Sequence, residues 1–147
     1  AFLGPHLAEI DRMRSDLTLE RIRSGWGSWR GRAVEPMVRD SLARLLPAAG
    51  LPAAPAVGGY WTRSNDVEID IVGADREPIA QRLLFLGSIK WLEASPLDQR
   101  DLIALQKQRD RRPGEPVPLI GVSRSGVTAA GLDAAFGPVD LLEPWRT

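Results

Sequence analysis

The sequence predicts an α/β domain built on a mixed central sheet flanked by helices, with a helical lead-in over residues 1–28 and the domain proper over 29–147. Three observations predict it. Residues 65–72 and 84–91 are runs rich in Val, Ile, Leu, Phe and Trp in which polar residues recur at every second position, the period of a strand. The stretches on either side carry apolar residues at helical spacing instead. The resulting order is helices, three strands, helix, strand, helix, strand, which suits one sheet with helical layers on its faces.

Each element has its own signal. His6 to about Glu20 reads as a first helix, with Leu7, Ile10, Met13 and Leu17 at helical spacing. Ser24-Gly25-Trp26-Gly27-Ser28 reads as a glycine-rich connector. Trp29 to Leu46 reads as a second helix, striped by Ala33, Met37, Leu42 and Leu45, with Pro36 inside it and Pro47 at its end. A loop rich in Pro, Ala and Gly leads to a strand over Val57–Thr62, and the two central strands follow, joined by a polar link that suits an antiparallel pair. Ser95 reads as the cap of the next helix, with Pro96 at its first position and Asp98 in its first turn. Arg109, Arg111 and Arg112 gather at the end of that helix, where the dipole favours cations. Val117–Val122 then reads as a strand, Val127–Phe136 as a short helix and Val139–Leu142 as a last strand. Trp61 and Trp91 are expected in the core.

Composition narrows the function classes. The 147 residues suffice for one domain with its own core. No stretch approaches the ~18 consecutive apolar residues of a membrane span. Nineteen basic and 19 acidic residues cancel, so any surface attractive to nucleic acid must be local. There is no cysteine, which excludes disulfides and thiolate metal sites and fits a cytoplasmic location. With His6 the sole histidine, a multi-histidine metal cluster is excluded as well. The chain opens Ala-Phe-Leu-Gly-Pro with neither an initiator Met nor a signal-type segment, and reads as a piece of a longer protein.

The chemistry-bearing residues lie on the paired strands. Asp66, Glu68 and Asp70 fall at a spacing of two, on one face and about 7 Å apart in succession. Ser88 and Lys90 share a face by the same rule. The chain has only two lysines, Lys90 and Lys107. Set between Ile89 and Trp91, Lys90 loses solvation unless acids pair with it; the alternative is an edge lysine that blocks sheet-to-sheet pairing. Glu35 stands among Arg30, Arg32 and Arg39, where a surface ion pair is the alternative to a site role. Gln106 and Lys107 read as a solvated helix face.

These residues carry a resemblance. Gly31-Arg32-Ala33-Val34-Glu35 on a helix, Glu68-Ile69-Asp70-Ile71-Val72 on a strand and Gly87-Ser88-Ile89-Lys90-Trp91 on the next resemble the PD-(D/E)xK nuclease superfamily, the restriction-endonuclease-like fold. Gly121-Val122-Ser123-Arg124-Ser125-Gly126 is similar to the tail of such domains. More narrowly, the chain from about Trp29 onward is similar to the nuclease-like domain of unknown function at the C-terminus of prokaryotic AAA-type ATPases. The resemblance implies Glu35, Asp70 and Lys90 as catalytic positions, Asp70 and Glu68 as metal ligands, and Mg²⁺ as cofactor. That cation takes oxygen ligands, lowers the pKa of a bound water and offsets phosphate charge. It also implies DNA and an ATPase portion of the same chain as partners, with DNA met by Arg100, Arg109, Arg111 and Arg112. The departure is Ser88, which stands where the family pattern has an acid two residues before the lysine. The expectation is therefore a degenerate nuclease-like domain that binds DNA or a partner. The alternative is an active nuclease whose missing carboxylate comes from Glu68 or Glu35.

Overall fold

A helix and a three-stranded antiparallel meander account for most of the chain's first half. The structure, a computed structural model, describes residues 15–61, 68–112 and 114–146, together with Ala8 and Arg12. Asp66, most of the expected helix before Ser15, and the side chain of Trp61 lie outside the described residues.

The chain runs α1 (Ser15–Leu45), β1 (Ala56–Trp61), β2 (Glu68–Ala74), β3 (Leu83–Lys90), α2 (Gln99–Asp110), β4 (Leu119–Ser123), β5 (Ala134–Phe136), α3 (Pro138–Leu142) and a closing 3₁₀ turn at Glu143–Trp145. The five strands lie in the order β1-β2-β3-β4-β5. β1, β2 and β3 are antiparallel, whereas β3, β4 and β5 are parallel. A parallel neighbour requires a crossover, and α2 supplies it between β3 and β4. The fold is thus a mixed α/β sheet with helices on both faces.

Each face has its own core. Val38, Leu42 and Leu46 pack with Ile71, Phe85, Ile120 and Val122 on one side, and Trp91 covers part of this cluster as expected. On the other side Leu102 and Leu105 of α2 meet Ile69, Leu86 and Leu119.

Four expectations are corrected. The glycine-rich stretch at Ser24–Ser28 does not break the helix; α1 is continuous over 31 residues. Glycine weakens a helix without forbidding it, and here the Ser24 hydroxyl donates back to the Arg21 carbonyl at 2.9 Å while Trp26 and Trp29 stack at 5.0 Å. The cap of α2 is Asp98, not Ser95. Its carboxylate accepts from the Arg100 and Asp101 amides, and the Asp101 carboxylate accepts from the Asp98 amide. Leu97 precedes the helix as a buried residue in a parallel bridge with Val127.

Val127–Phe136 is extended rather than helical. The Thr128 and Ala129 amides donate to the Leu97 carbonyl, and Asp133 exchanges bonds with Leu119 through both its amide and its carboxylate. Gly131 takes a φ of 110°, which ends any helix there. Finally, residues 139–142 belong to α3 and not to a strand. Pro138 opens that helix and the Asp140 carboxylate accepts from the Gly137 amide at 2.7 Å.

Candidate functional site

Residues on α1, β2, β3 and α2 meet at one end of the antiparallel meander. The key local feature is a bulge in β2. Gly58 pairs with Val72 but Tyr60 pairs with Ile69, so two residues, Asp70 and Ile71, stand opposite Gly59 alone. The bulge sends Ile69 to the α2 face and Ile71 to the α1 face, although a plain strand would put both on one face.

The bulge also frees the Asp70 main chain and redirects its side chain. The Asp70 carbonyl accepts from Nε of Arg39 on α1 at 2.8 Å. Its carboxylate turns onto β3, where Oδ2 accepts from the Ile89 amide at 2.7 Å and from the Ser88 hydroxyl at 3.0 Å. The backbone pairing of β2 with β3 reaches only to Ile71 and Gly87, so the Asp70 side chain continues the sheet where the main chain stops.

Arg39 ties the helix to this point. Its Nη2 pairs with Glu35 at 2.8 Å, with both side chains about four-fifths buried. Gly59 makes room for it, since a Cβ there would lie 2.6 Å from Arg39 Nη2. Burial holds the Glu35 carboxyl above the usual carboxylate range, and the negative charges of Asp70 and Glu68 push the same way. Arg39 opposes them without prevailing. Glu35 is therefore a partly buried ion-pair partner rather than a surface one.

Lys90 is tied to α2 and not to this pair. Its Nζ meets Asp101 Oδ2 at 2.6 Å, and the same oxygen accepts from the Asp98 amide at 2.9 Å. The lysine thus binds the second carboxylate of the α2 capping box, that of Asp101. Because β3 is the middle strand of five, Lys90 is not an edge lysine.

The expected site residues therefore divide between two small cavities. Glu35 and Lys90 line one of about 200 Å³, with Gly27, Gly31 and Trp91. Glu68, Asp70 and Ser88 line another of about 150 Å³, with Asp101 and Gln108. Among the described residues, no group of three or more His, Asp or Glu side chains is placed to hold a metal ion. A divalent cation needs open oxygen ligands, and here Asp70, Glu35 and Asp101 all accept hydrogen bonds or ion pairs from the protein. As arranged, Glu35, Asp101 and Oδ2 of Asp70 are turned to protein donors and not to one shared cation.

Nor are the arginines of α2 a single patch. Arg100 is exposed at the helix start, 3.9 Å from Asp98. Arg109, paired with Asp110 at 3.1 Å, lies at the far end with exposed Arg111 and with Arg112, whose guanidinium sits 5.2 Å over the Tyr60 ring. Nine to twelve helical residues separate the two ends by about 15 Å.

Sequence reasoning missed three residues. Arg39 was legible only as one of several arginines near Glu35; its i,i+4 spacing from Glu35 was the signal. Asp101 was legible as the third residue after Asp98, the spacing of a reciprocal cap. Tyr60 carried no signal beyond being aromatic.

A family model described as Archaea bacterial proteins of unknown function, DUF234, matches residues 1–109. The chain belongs to DUF234. No curated protein and no solved structure matches it. The DUF234 match takes in Glu35, Arg39, Glu68, Asp70, Ser88, Lys90 and Asp101, whereas β4, β5 and α3 lie beyond it. Among the described residues, no helix is long and apolar enough to cross a membrane.

Proposed function

We propose that this DUF234 chain is a nuclease-like domain of the PD-(D/E)xK type that binds DNA without cleaving it. The succession of a helix, an antiparallel three-stranded meander, a crossover helix and a parallel strand is consistent with that superfamily. The observation that carries the loss of cleavage is the contact of Ser88 with Asp70. A neutral hydroxyl occupies the place of the second acid and donates to the aspartate that would hold the cation. One oxygen of that carboxylate, Oδ2, is thereby held by the protein itself. In its working setting the domain is attached to an ATPase portion of the same chain in the cytoplasm, which the lack of cysteine suits.

A second reading rests on one observation. Asp70 and Glu68 both act electrostatically on Glu35, so Glu35 or Glu68 could complete a Mg²⁺ site if the Arg39 and Ser88 contacts opened. The cation would supply an activated water and charge neutralisation at phosphate; this chain's part would be the carboxylates that hold it.

One assay separates the two. Wild type, Asp70→Ala and Ser88→Glu are incubated with linear, single-stranded and four-way-junction DNA in Mg²⁺ or Mn²⁺. The proposal expects a silent wild type. Wild-type cleavage that disappears in Asp70→Ala would instead establish the second reading.

A further inference from the structure

A groove lies on the α2 face of the sheet and shares no lining residue with the two small cavities. α2 packs over β3 and reaches β2 at Ile69, and among the described residues much of the same face of β1 stays uncovered. The loop that joins β2 to β3 rises beside this bare strip and encloses about 770 Å³ with it. That is within the range of about 300–1,000 Å³ typical of ligand sites.

The lining has a chemical bias. Arg76 and Arg82 come from the loop and Arg112 from the end of α2, against a single carboxylate, Glu77. The Arg82 guanidinium has no hydrogen bond or ion pair among the described residues, and Arg82 is exposed. Asp75, at the start of the loop, accepts from the amides of Arg82 and Gln81, which together with the charge of Arg76 hold its carboxyl below the usual range. On the groove floor Tyr60 is 44% exposed, with the Arg112 guanidinium over its ring. An exposed aromatic ring beside an excess of guanidinium groups over carboxylates is the pairing that holds unpaired nucleotides: bases stack on the ring while phosphates meet the cations. A duplex, whose bases are already stacked, makes no use of the ring.

We propose that this groove binds single-stranded DNA, with a base on Tyr60 and phosphates at Arg76, Arg82 and Arg112. The inference rests on the nucleic-acid-binding reading above, deepens it to a substrate class, and places the contact surface on the groove instead of along α2.

The test is fluorescence anisotropy with labelled oligothymidylate and a labelled duplex, titrated across a range of KCl with the full chain. The expected result is preference for the single strand and a log–log salt slope of about −2, as three phosphate contacts give. Tyr60→Ala weakens binding about tenfold and leaves the salt slope unchanged, because stacking is uncharged, whereas Tyr60→Phe binds as wild type. Arg82→Glu weakens binding and flattens the slope by about 0.7 or more. Arg100→Glu, outside the groove, has little effect.

If neither DNA binds at any salt, the DNA-binding reading falls and the inference with it. If DNA binds but Tyr60→Ala and Arg82→Glu match wild type, the groove assignment alone is overturned. Equal affinity for the duplex, with Tyr60→Ala neutral, overturns it too.

Discussion

Ser88 donates its hydroxyl to the Asp70 carboxylate at 3.0 Å, beside the Ile89 amide bound to the same oxygen at 2.7 Å. Two donors on one carboxylate oxygen stabilise it where it stands. A glutamate or aspartate in place of Ser88 would instead set a second negative charge against the first, a repulsion that a cation or a proton relieves. The serine thus helps to hold β2 on β3 where their backbone pairing has ended.

Ser88→Ala should cost about 1 kcal/mol, the value of one hydrogen bond whose acceptor keeps another donor. Ser88→Glu should cost more without divalent cations and recover when Mg²⁺ is added. Thermal melts of both variants with and without MgCl₂ measure this. A Ser88→Glu protein as stable as wild type in chelator would contradict it.

Lys90 and Asp101 should show energetic coupling, since their contact is 2.6 Å and about three-quarters buried. A double-mutant cycle with Lys90→Met and Asp101→Asn is expected to give roughly 0.5–2 kcal/mol, above the value of an exposed pair. Additive costs in denaturant unfolding would mean that the pair contributes nothing.

Two glycines in neighbouring strands should differ sharply when changed to alanine. At Gly73 the new methyl would overlap the ring of fully buried Phe85, which has nowhere to go, so the cost is about 2 kcal/mol or more. At Gly59 it would meet only the end of the Arg39 side chain, which can swing aside. The expected cost there is about 1 kcal/mol or less, with the Arg39 bond to Asp70 lost. Equal melting temperatures for the two variants would refute the distinction.

Stability should respond to pH with opposite signs at different carboxylates. Glu35 binds its proton more tightly folded than unfolded, chiefly through burial. Its charge therefore costs nothing below the ordinary value of 4.5 and destabilises increasingly as pH rises through the elevated one. Glu35→Gln should gain relative to wild type between about pH 4 and pH 7, as urea unfolding at both would measure. Glu93 is held low, first by hydrogen bonds from Arg30 and Arg124, so its contribution is present above 4.5 and fades as pH falls below it. Glu93→Gln should converge on wild type in acid. A Glu35→Gln protein that loses ground towards neutral pH would contradict the first assignment.

Much of the fold was legible because period two and period 3.6 differ clearly over β2, β3 and α2. The stretch after β4 was not. Val139-Asp140-Leu141-Leu142 is too short for its period to decide between helix and strand, and Pro138 and Asp140 decide it by capping. Ala-rich residues 128–135 favour a helix locally, yet Asp133 and Gly131 give the segment a sheet partner and a turn instead. At the site, Glu35, Asp70, Ser88 and Lys90 were legible as residue types, and their partners were not. The bulge at Asp70 is a relation between β1 and β2, so no periodicity within β2 reveals it. Lys90 drew attention because an unpaired lysine in an apolar strand is costly, but the acid that answers it sits on α2 and not on β2.

The uninterrupted course of α1 has a consequence for its motions. Roughly nine turns of helix form one rod, yet its two halves are held by different means. Val38 and Leu42 lock the second half into the sheet core, whereas Gly25, Gly27 and Gly31 thin the first half at about 1 kcal/mol each relative to alanine. Amide exchange should therefore divide the helix in two, with protons before Gly31 escaping through small local openings and those around Leu42 escaping only when the whole domain unfolds.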